Sequence, residues 1–451
     1  MRLSSLEIRD RFARHPIRLL PIAFAFTITI GTILLMLPIS RRGNGSATIV
    51  DALFTATSAV CVTGLASVDT AGHWTAFGQV VILVLIQIGG LGIMTSAALL
   101  GLIVSRRIGL QSKMVAQAEI KTLALGDVRA ILVRASIIVV CVEAVVAAIL
   151  TVRFAATYGY DTAEAIWFGV FHSVSSFNSA GFALFTDGFI GFSSDVVICV
   201  PIMAAAIIGG LGVPVLFEFT RRRHGWTQWS PHTKLTVTGS GTLLLLGFVI
   251  ILVFEWSNPA TLGPMGVADK LTPAMFQAIM PRSAGLNSLD IGAMLPQTEL
   301  VIIILMFIGA GSASTGGGIK VTTFFLLGAV IWAEVRGERD VVVFRRRVPT
   351  TVVRQAISVA LLAVGLVSGG TILVLIISEL PFDDVLFEVV SAVGTVGLST
   401  GITTELPGIA KVVLCVLMFL GRVGPVVAAS ALALRHRHRL YRYPTGQPIV
   451  G

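Results

Sequence analysis

Charge is the scarcest property of this chain. Of its 451 residues only 13% are Asp, Glu, Lys or Arg, against 55% hydrophobic, and the mean hydropathy is +0.90. A soluble globular domain carries about 25% charge. That class is excluded, and a polytopic membrane protein is implied. Cysteine is sparse as well: Cys61, Cys141, Cys199 and Cys415 sit in apolar segments without Cys-x-x-Cys spacing. They read as small buried hydrophobes, not as a disulfide framework or a metal site. His-Glu-x-x-His, Gly-x-Ser-x-Gly and an intramembrane pair of carboxylates are missing too, which argues against an enzyme. A cleavable leader is not expected. The apolar run 19–37 is too long for a signal h-region, and Pro38-Ile39-Ser40-Arg41-Arg42 is no small-residue cleavage site.

The charge that is present is mostly basic, with a net of +9. Lys and Arg gather in 2–18, 106–134, 221–234, 336–354 and 435–442. Basic blocks between long apolar runs follow the positive-inside pattern, with both termini cytoplasmic. Such blocks also favour anionic lipid, and no nucleic-acid partner is expected. Docking of a cytoplasmic partner is the functional alternative for this charge.

The most informative stretch is Ser391-Ala392-Val393-Gly394-Thr395-Val396-Gly397-Leu398-Ser399-Thr400-Gly401. It is glycine-dense and uncharged, and each glycine disfavours helix by about 1 kcal/mol relative to alanine. Inside a bilayer, non-helical backbone survives only where protein buries it or where it lines a watery path. Its carbonyls then suit a dehydrated monovalent cation. Three relatives lie upstream, around Gly64, Gly181 and Gly285. From 64 to 181, 181 to 285 and 285 to 397 the intervals are 117, 104 and 112 residues. Four divergent copies of one unit is the simplest account.

Each unit reads as a long helix, a half-length segment, a glycine turn and a second long helix. The expected parts are 18–40, 50–60 and 75–105; 130–156, 162–176 and 189–219; 234–255, 272–280 and 299–332; 352–377, 383–392 and 408–434. The repeats thus occupy 18–105, 130–220, 234–332 and 352–434, between a cytoplasmic N-terminus (1–17) and a basic cytoplasmic tail (435–451). The half-length segments fall short of the ~20 residues needed to cross the hydrocarbon core. They fit pore helices whose partly negative C-terminal ends aim at a cation. The expected fold is therefore all-α: four membrane–pore–membrane repeats, with eight spanning helices and four re-entrant pore loops around one central pore.

A second glycine recurs at 89, 209, 309 and 421, which is 25, 28, 24 and 24 residues after the first. Two departures stand out there. Arg422 replaces the glycine of Gly90 and Gly210, and a charge in mid-span faces a cavity or a partner. Its alternatives are pairing with carbonyls between helices or facing the permeation path. The other departure runs from Gly309 through Ala310, Gly311, Ser312, Ala313, Ser314, Thr315, Gly316, Gly317 and Gly318 to Ile319 and Lys320. No helix should persist through it, and it is not a phosphate-binding loop. It reads as a mobile intramembrane loop whose glycines absorb the dihedral change of a gate, against a static broken helix. Lys320 is expected to satisfy loop carbonyls or to snorkel. Arg282 should brace the third loop from behind, against an acid such as Glu388, and Asn178 should do likewise in the second. His172 reads as a satisfied buried histidine, and Glu143 has no assigned role.

These motifs resemble the Trk/Ktr/HKT superfamily of potassium transporters. The matching runs are 59–65, 172–173 with 177–182, 282–287, 394–401, 314–321 and 421–425, and the likeness covers nearly the whole chain. Without an extra N-terminal helix pair it is most similar to the Ktr membrane subunits. Ser283 and Leu286 stand where threonine and phenylalanine are frequent in that family. The resemblance implies potassium uptake across the plasma membrane through a pore in each chain, which is usually one half of a homodimer. It further implies a cytoplasmic ring of nucleotide-binding regulatory subunits and often dependence on Na⁺. No cofactor is expected in this chain; a nucleotide would sit only on that partner. The filter would be Cys61, Val62, Thr63 and Gly64; Asn178, Ser179, Ala180 and Gly181; Arg282, Ser283, Ala284 and Gly285; and Gly394, Thr395, Val396 and Gly397. The gate would be the loop bounded by Gly309 and Gly318, with Lys320 and Arg422. The competing class, a secondary transporter of a small solute, predicts inverted repeats and intramembrane acids at a midplane site. Here the repeats run in one direction and the filter loops lack carboxylates.

Overall fold

A computed structural model describes residues 16–43, 47–107, 127–220, 225–282 and 284–434. Residues 1–15, most of the basic region 106–134, 221–224, Ser283 and the tail 435–451 lie outside the described residues. So, therefore, do the expected cytoplasmic termini and one filter residue.

The described residues are mostly helical. The first stretch holds α1 (Pro16–Leu35), α2 (Ile49–Cys61) and α3 (Ala76–Arg107). The second holds α4 (Asp127–Tyr158), α5 (Thr162–Phe177), α6 (Val196–Leu211) and α7 (Val213–Thr220). Next come α8 (Pro231–Glu255), α9 (Leu271–Ile279), α10 (Pro296–Phe307) and α11 (Val321–Val335). The last stretch holds α12 (Thr350–Ile377), α13 (Phe382–Gly394) and α14 (Gly408–Leu434). One element departs from an all-α reading. Val342–Val343 (β1) and Arg346–Arg347 (β2) pair antiparallel across a turn in which Phe344 and Arg345 have positive φ.

The short helices α2, α5, α9 and α13 have 13, 16, 9 and 13 residues. At 1.5 Å per residue none reaches across a hydrocarbon core of about 30 Å. Their starts are chemically marked. Thr48 accepts from the Asp51 N–H at 3.1 Å, Asp161 accepts from the Ala163 N–H at 3.2 Å, and Asp383 and Asp384 occupy the first turn of α13. Acids there complement the positive helix end. The last turns of α2, α5 and α13 carry no basic residue, so their negative ends stay uncompensated and lead into the glycine turns.

These short helices pack in a closed cycle: α5 against α3, α9 against α6, α13 against α10, and α2 against α14. Each therefore lies between its own stretch and the one before it in the ring. The second set of glycines explains how closely the elements approach. A Cβ added at Gly89, Gly209 or Gly421 would collide with the carbonyl oxygen of Val60, Phe177 or Val393 respectively. Each of those carbonyls lies four residues before the turn glycine of the same stretch. In the third stretch Gly309 is instead pressed against the Gly317 carbonyl of its own loop.

Two expected continuous helices are interrupted. The one expected at 189–219 is two helices, α6 and α7, bent by 100° at Gly212, whose φ is +89°. Pro214, two residues on, lacks an N–H and favours the break. The span expected at 299–332 is α10 and α11, separated by the irregular segment 308–320. Among the described residues four helices are long and apolar enough to cross a membrane, or five with the bent pair. Their outward faces expose large aliphatic side chains, among them Val140, Leu361 and Ile376. One cysteine differs from expectation: Cys141 lies on an exposed helix face, whereas Cys61, Cys199 and Cys415 are buried.

Candidate functional site

The four turn glycines meet. A Cβ built on Gly181 would lie 3.1 Å from Gly64 Cα and 3.3 Å from Gly285 Cα. One on Gly285 would lie 3.1 Å from Gly397 Cα, and one on Gly397 would lie 2.9 Å from Gly64 Cα. The contacts close in the order 64, 181, 285, 397 and back to 64. All four have positive φ, at +97°, +71°, +64° and +100°, so side chains are excluded by both conformation and space.

Two residues before the glycine, Val62, Ser179 and Thr395 also adopt left-handed backbone, with φ of 55°, 60° and 46°. Such a conformation costs on the order of 1–3 kcal/mol for a non-glycine residue, and β-branched Val62 and Thr395 are genuine outliers. The hydrogen bonding that holds them is repeated. The N–H groups of Thr63, Ala180 and Val396 donate to Ser58 O, Ser175 O and Ser391 O at 2.8, 2.7 and 2.9 Å. Ser58 Oγ and Ser391 Oγ accept from the Gly64 and Gly397 N–H groups at 3.0 Å, while Ser175 Oγ donates to Phe182 O at 2.7 Å. A serine six residues before the glycine is thus a signal that sequence reading missed. The third loop has Ile279 there, and the N–H groups of Ala284 and Gly285 both turn back to Met280 O.

This geometry turns the carbonyls toward the ring. Ala180 O lies 2.5 Å from a Cβ built on Gly64, and Thr63 O lies 3.2 Å from one built on Gly181. Val396 O meets the corresponding position on Gly285. Thr63, Ala180 and Val396 are buried, and among the described residues nothing donates to their carbonyl oxygens. Buried carbonyls are ordinarily paired, so this ring is a set of acceptors held open. Cys61, Asn178 and Gly394 are buried behind it, and Gly394 packs against Met306 O.

The expected Arg282–Glu388 brace does not form. Arg282 donates to Ser240 O at 3.3 Å, Ser240 Oγ at 3.2 Å and Gly309 O at 3.4 Å. Glu388 accepts from the hydroxyls of Ser399 and Thr403, the latter at 2.9 Å. Arg282 therefore ties the third loop to the irregular segment, and Glu388 ties α13 to the chain leaving the fourth loop. Asn178 donates from Nδ2 to Gln87 Oε1, Glu143 Oε1 and Val174 O at 2.7, 3.0 and 3.0 Å. That gives Glu143 a place, which sequence reading lacked. His172 is buried and satisfied: Nδ1 lies 2.7 Å from Phe168 O, and Nε2 accepts from the Leu184 N–H at 3.0 Å. The accepting role of Nε2 puts the proton on Nδ1.

Segment 308–320 lies against the ring and is tied down on several sides. Gly309 N–H donates to Ile319 O at 2.8 Å, and Gly311 N–H to Gly210 O at 2.8 Å. Thr315 N–H donates to Gly209 O at 3.3 Å, and its hydroxyl donates to Phe177 O at 3.3 Å, 3.0 Å from Ser179 Oγ. Ser314 Oγ donates to Gly311 O at 2.7 Å and accepts from the Gly316 N–H at 3.3 Å. Ser312 Oγ is 3.0 Å from Thr322 Oγ1. A Cβ on Gly317 would strike Thr395 and Gly394 O, and Gly318 has φ of +66°. Lys320 Nζ donates to Gly316 O at 2.5 Å and Gly317 O at 3.3 Å, so of its two expected roles it takes the first. Arg422 Nη1 donates to Thr315 O, while its Nε and Nη2 have no partner among the described residues.

Comparison with known proteins now bears on this arrangement. The long apolar helices define a class, membrane proteins. The family model described as "TrkH: Cation transport protein" matches residues 13–436, and the chain belongs to that family. It is 40% identical over 436 residues to the Ktr system potassium uptake protein B of Bacillus subtilis (strain 168), covering 97% of each chain. It is 35% identical to the protein of the same name from Vibrio alginolyticus, covering 98% of this chain and 96% of that one. To the potassium/sodium uptake protein NtpJ of Enterococcus hirae it is 32% identical over the full length of both. Its fold is similar to the crystal structure of the potassium transporter TrkH from Vibrio parahaemolyticus. There the TM-score is 0.70 at 16% identity, covering 92% of this chain and 84% of that one. These relatives are transporters, not enzymes.

Proposed function

We propose that the chain carries K⁺ into the cell through the ring at Gly64, Gly181, Gly285 and Gly397, as one of eight-span, four-repeat subunits in the plasma membrane. The observation that carries this reading is the set of buried carbonyls at Thr63, Ala180 and Val396 with no hydrogen-bond donor among the described residues. An alkali ion that sheds part of its water finds replacement oxygens there. The four loops are unlike, so fewer well-formed sites arise than in a symmetric filter, and K⁺/Na⁺ discrimination is moderate. Segment 308–320 is the gate, and Arg422 and Lys320 hold it closed. The names of the relatives, potassium uptake proteins and a potassium/sodium uptake protein, support K⁺ as cargo and Na⁺ as a competitor or activator. A homodimer with a cytoplasmic nucleotide-binding ring completes the assembly, and the chain itself needs no cofactor.

The test is ⁸⁶Rb⁺ uptake into proteoliposomes of the purified chain, with K⁺ and Na⁺ as competitors. Uptake displaced by K⁺ more strongly than by Na⁺ is expected. Vesicles that accumulate no Rb⁺, or that take up sugars or amino acids instead, would overturn the reading.

A further inference from the structure

Behind the second loop lies a buried polar cluster in an otherwise apolar layer. Glu143, on α4, is only 8% exposed, and among the described residues it forms no ion pair. Its Oε1 accepts from Asn178 Nδ2 at 3.0 Å, and its Oε2 accepts from Gln87 Nε2 at 3.2 Å. Ser173 Oγ also donates to the Glu143 backbone carbonyl at 2.5 Å, which fixes α4 against α5.

The orientation of the two amides follows from one anchor. Val174 O is an acceptor only, so the Asn178 atom 3.0 Å away is the nitrogen. That nitrogen lies 2.7 Å from Gln87, which must present its oxygen and therefore turns its own nitrogen to Glu143. Each carboxylate oxygen thus faces an amide nitrogen, although the two hydrogens of Asn178 Nδ2 are shared among Val174 O, Gln87 Oε1 and Glu143 Oε1. The carboxylate's two side-chain partners are both donors, which suits its ionised form, while Asn178 Oδ1 has no partner among the described residues. A buried anion without a counter-ion is costly unless a positive charge visits nearby.

We propose that Glu143 is a positioning residue that holds the second loop through Asn178 and supplies the fixed negative charge that draws a cation to the ring. Asn178 is three residues from Gly181, a span of at most about 11 Å. A carboxylate about 12 Å from a cation, at an effective dielectric near 20, changes its occupancy about tenfold. Its sign opposes the two buried guanidinium groups, Arg282 and Arg422, which have no carboxylate partner among the described residues. The cluster also accounts for Gly90, where a Cβ would strike Asn178 Oδ1.

This inference rests on the reading of the ring as the K⁺ path, so the wild-type protein is the first arm of its test. Rb⁺ uptake is measured in proteoliposomes for the wild type, Glu143→Gln, and the exchange variant Glu143→Gln/Gln87→Glu. Glu143→Gln is expected to raise the half-saturating Rb⁺ concentration about tenfold while the maximal rate per folded protein changes little. The exchange variant keeps one carboxylate and one amide in the same cluster, and is expected to recover most of that affinity. An unchanged half-saturating concentration in Glu143→Gln overturns the inference. So does an exchange variant that folds but stays weak, which would make the role purely one of shape. Should Glu143→Gln fail to fold, the exchange variant alone decides, with near wild-type affinity expected. A wild type without Rb⁺ uptake would overturn the proposed function itself.

Discussion

Arg422, from the last helix, donates to the backbone carbonyl of Thr315, 107 residues earlier in the chain. Thr315 in turn reaches Phe177 O and Ser179 Oγ of the second loop. One side chain therefore clamps the irregular segment against the ring, and it is the only charge among the residues that follow the second glycines.

Replacing Arg422 by Ala should raise flux. A guanidinium about 8 Å from a cation at an effective dielectric near 20 opposes it by about 2 kcal/mol, roughly thirtyfold in occupancy. Loss of the Thr315 tether acts in the same direction. Rb⁺ uptake per folded protein should therefore increase by up to about thirtyfold, and deletion of 312–317 should also increase it. Equal or lower flux from intact protein would contradict the gate.

Gly397→Ser should erode K⁺ preference. With φ of +100° and Gly64 Cα 2.9 Å from an added Cβ, the ring cannot take a side chain without opening. A wider ring fits the carbonyls to K⁺ less well and narrows the difference from Na⁺. Competition of Na⁺ against ⁸⁶Rb⁺ uptake reads this directly. An unchanged Na⁺/K⁺ inhibition ratio would mean that Gly397 lies off the path.

Much of this architecture is legible in the chain because the physics is local. Glycines that must adopt positive φ or admit a neighbouring backbone leave a periodic mark, as at Gly64, Gly181, Gly285 and Gly397 and again at Gly89, Gly209 and Gly421. The side-chain partners are not legible, because they depend on which stretches become neighbours in the ring. Arg282 meets Ser240 and Gly309 and not Glu388, since α9 packs against α6 and α8 while Glu388 is engaged by Ser399 and Thr403 on its own loop. Glu143 was uninterpretable alone for the same reason: its partners are 56 and 35 residues away, at Gln87 and Asn178. The bend at Gly212 was hidden by the fully apolar sequence around it.

That bend leads to a third prediction. At the break, Val213 N–H donates to Ala313 O at 3.1 Å, and Gly210 O accepts from Gly311. A Cβ at Gly212 would collide with Ser312 O and come within 3.2 Å of Ala313. Gly212→Ala should therefore loosen segment 308–320 at its second anchor, and alanine at φ of 89° and ψ of 153°, a conformation essentially confined to glycine, adds about 1–3 kcal/mol of strain. Rb⁺ uptake should rise as it does for Arg422→Ala, with a lower unfolding temperature. A lowered unfolding temperature with wild-type flux would show that α7 and the segment are not coupled.

Asp195 gives a prediction about stability alone, away from the ring. Its carboxylate caps α6 by accepting from the Val197 and Ile198 N–H groups at 2.9 and 3.4 Å, and it pairs with Arg153 Nε at 2.9 Å. Tyr158 also donates to it, at 2.9 Å. Burial alone would push this carboxyl up, but the hydrogen bonds from Arg153, Tyr158 and the Val197 N–H outweigh it, and its pKa lies below the ordinary value. A depressed folded-state pKa contributes stability above the unfolded value, about 3.9, which is lost as pH falls through the lower folded value. Stability from this site should thus be flat between about pH 5 and 8 and decline only in stronger acid. Removing the cap and the partly buried ion pair in Asp195→Ala should destabilise by about 2 kcal/mol. Thermal unfolding in detergent reads both effects: the variant should unfold a few degrees lower at pH 7, and the gap should shrink as the wild-type carboxylate is protonated. A gap that persists undiminished in strong acid would show that the carboxylate's charge is not what holds the start of α6.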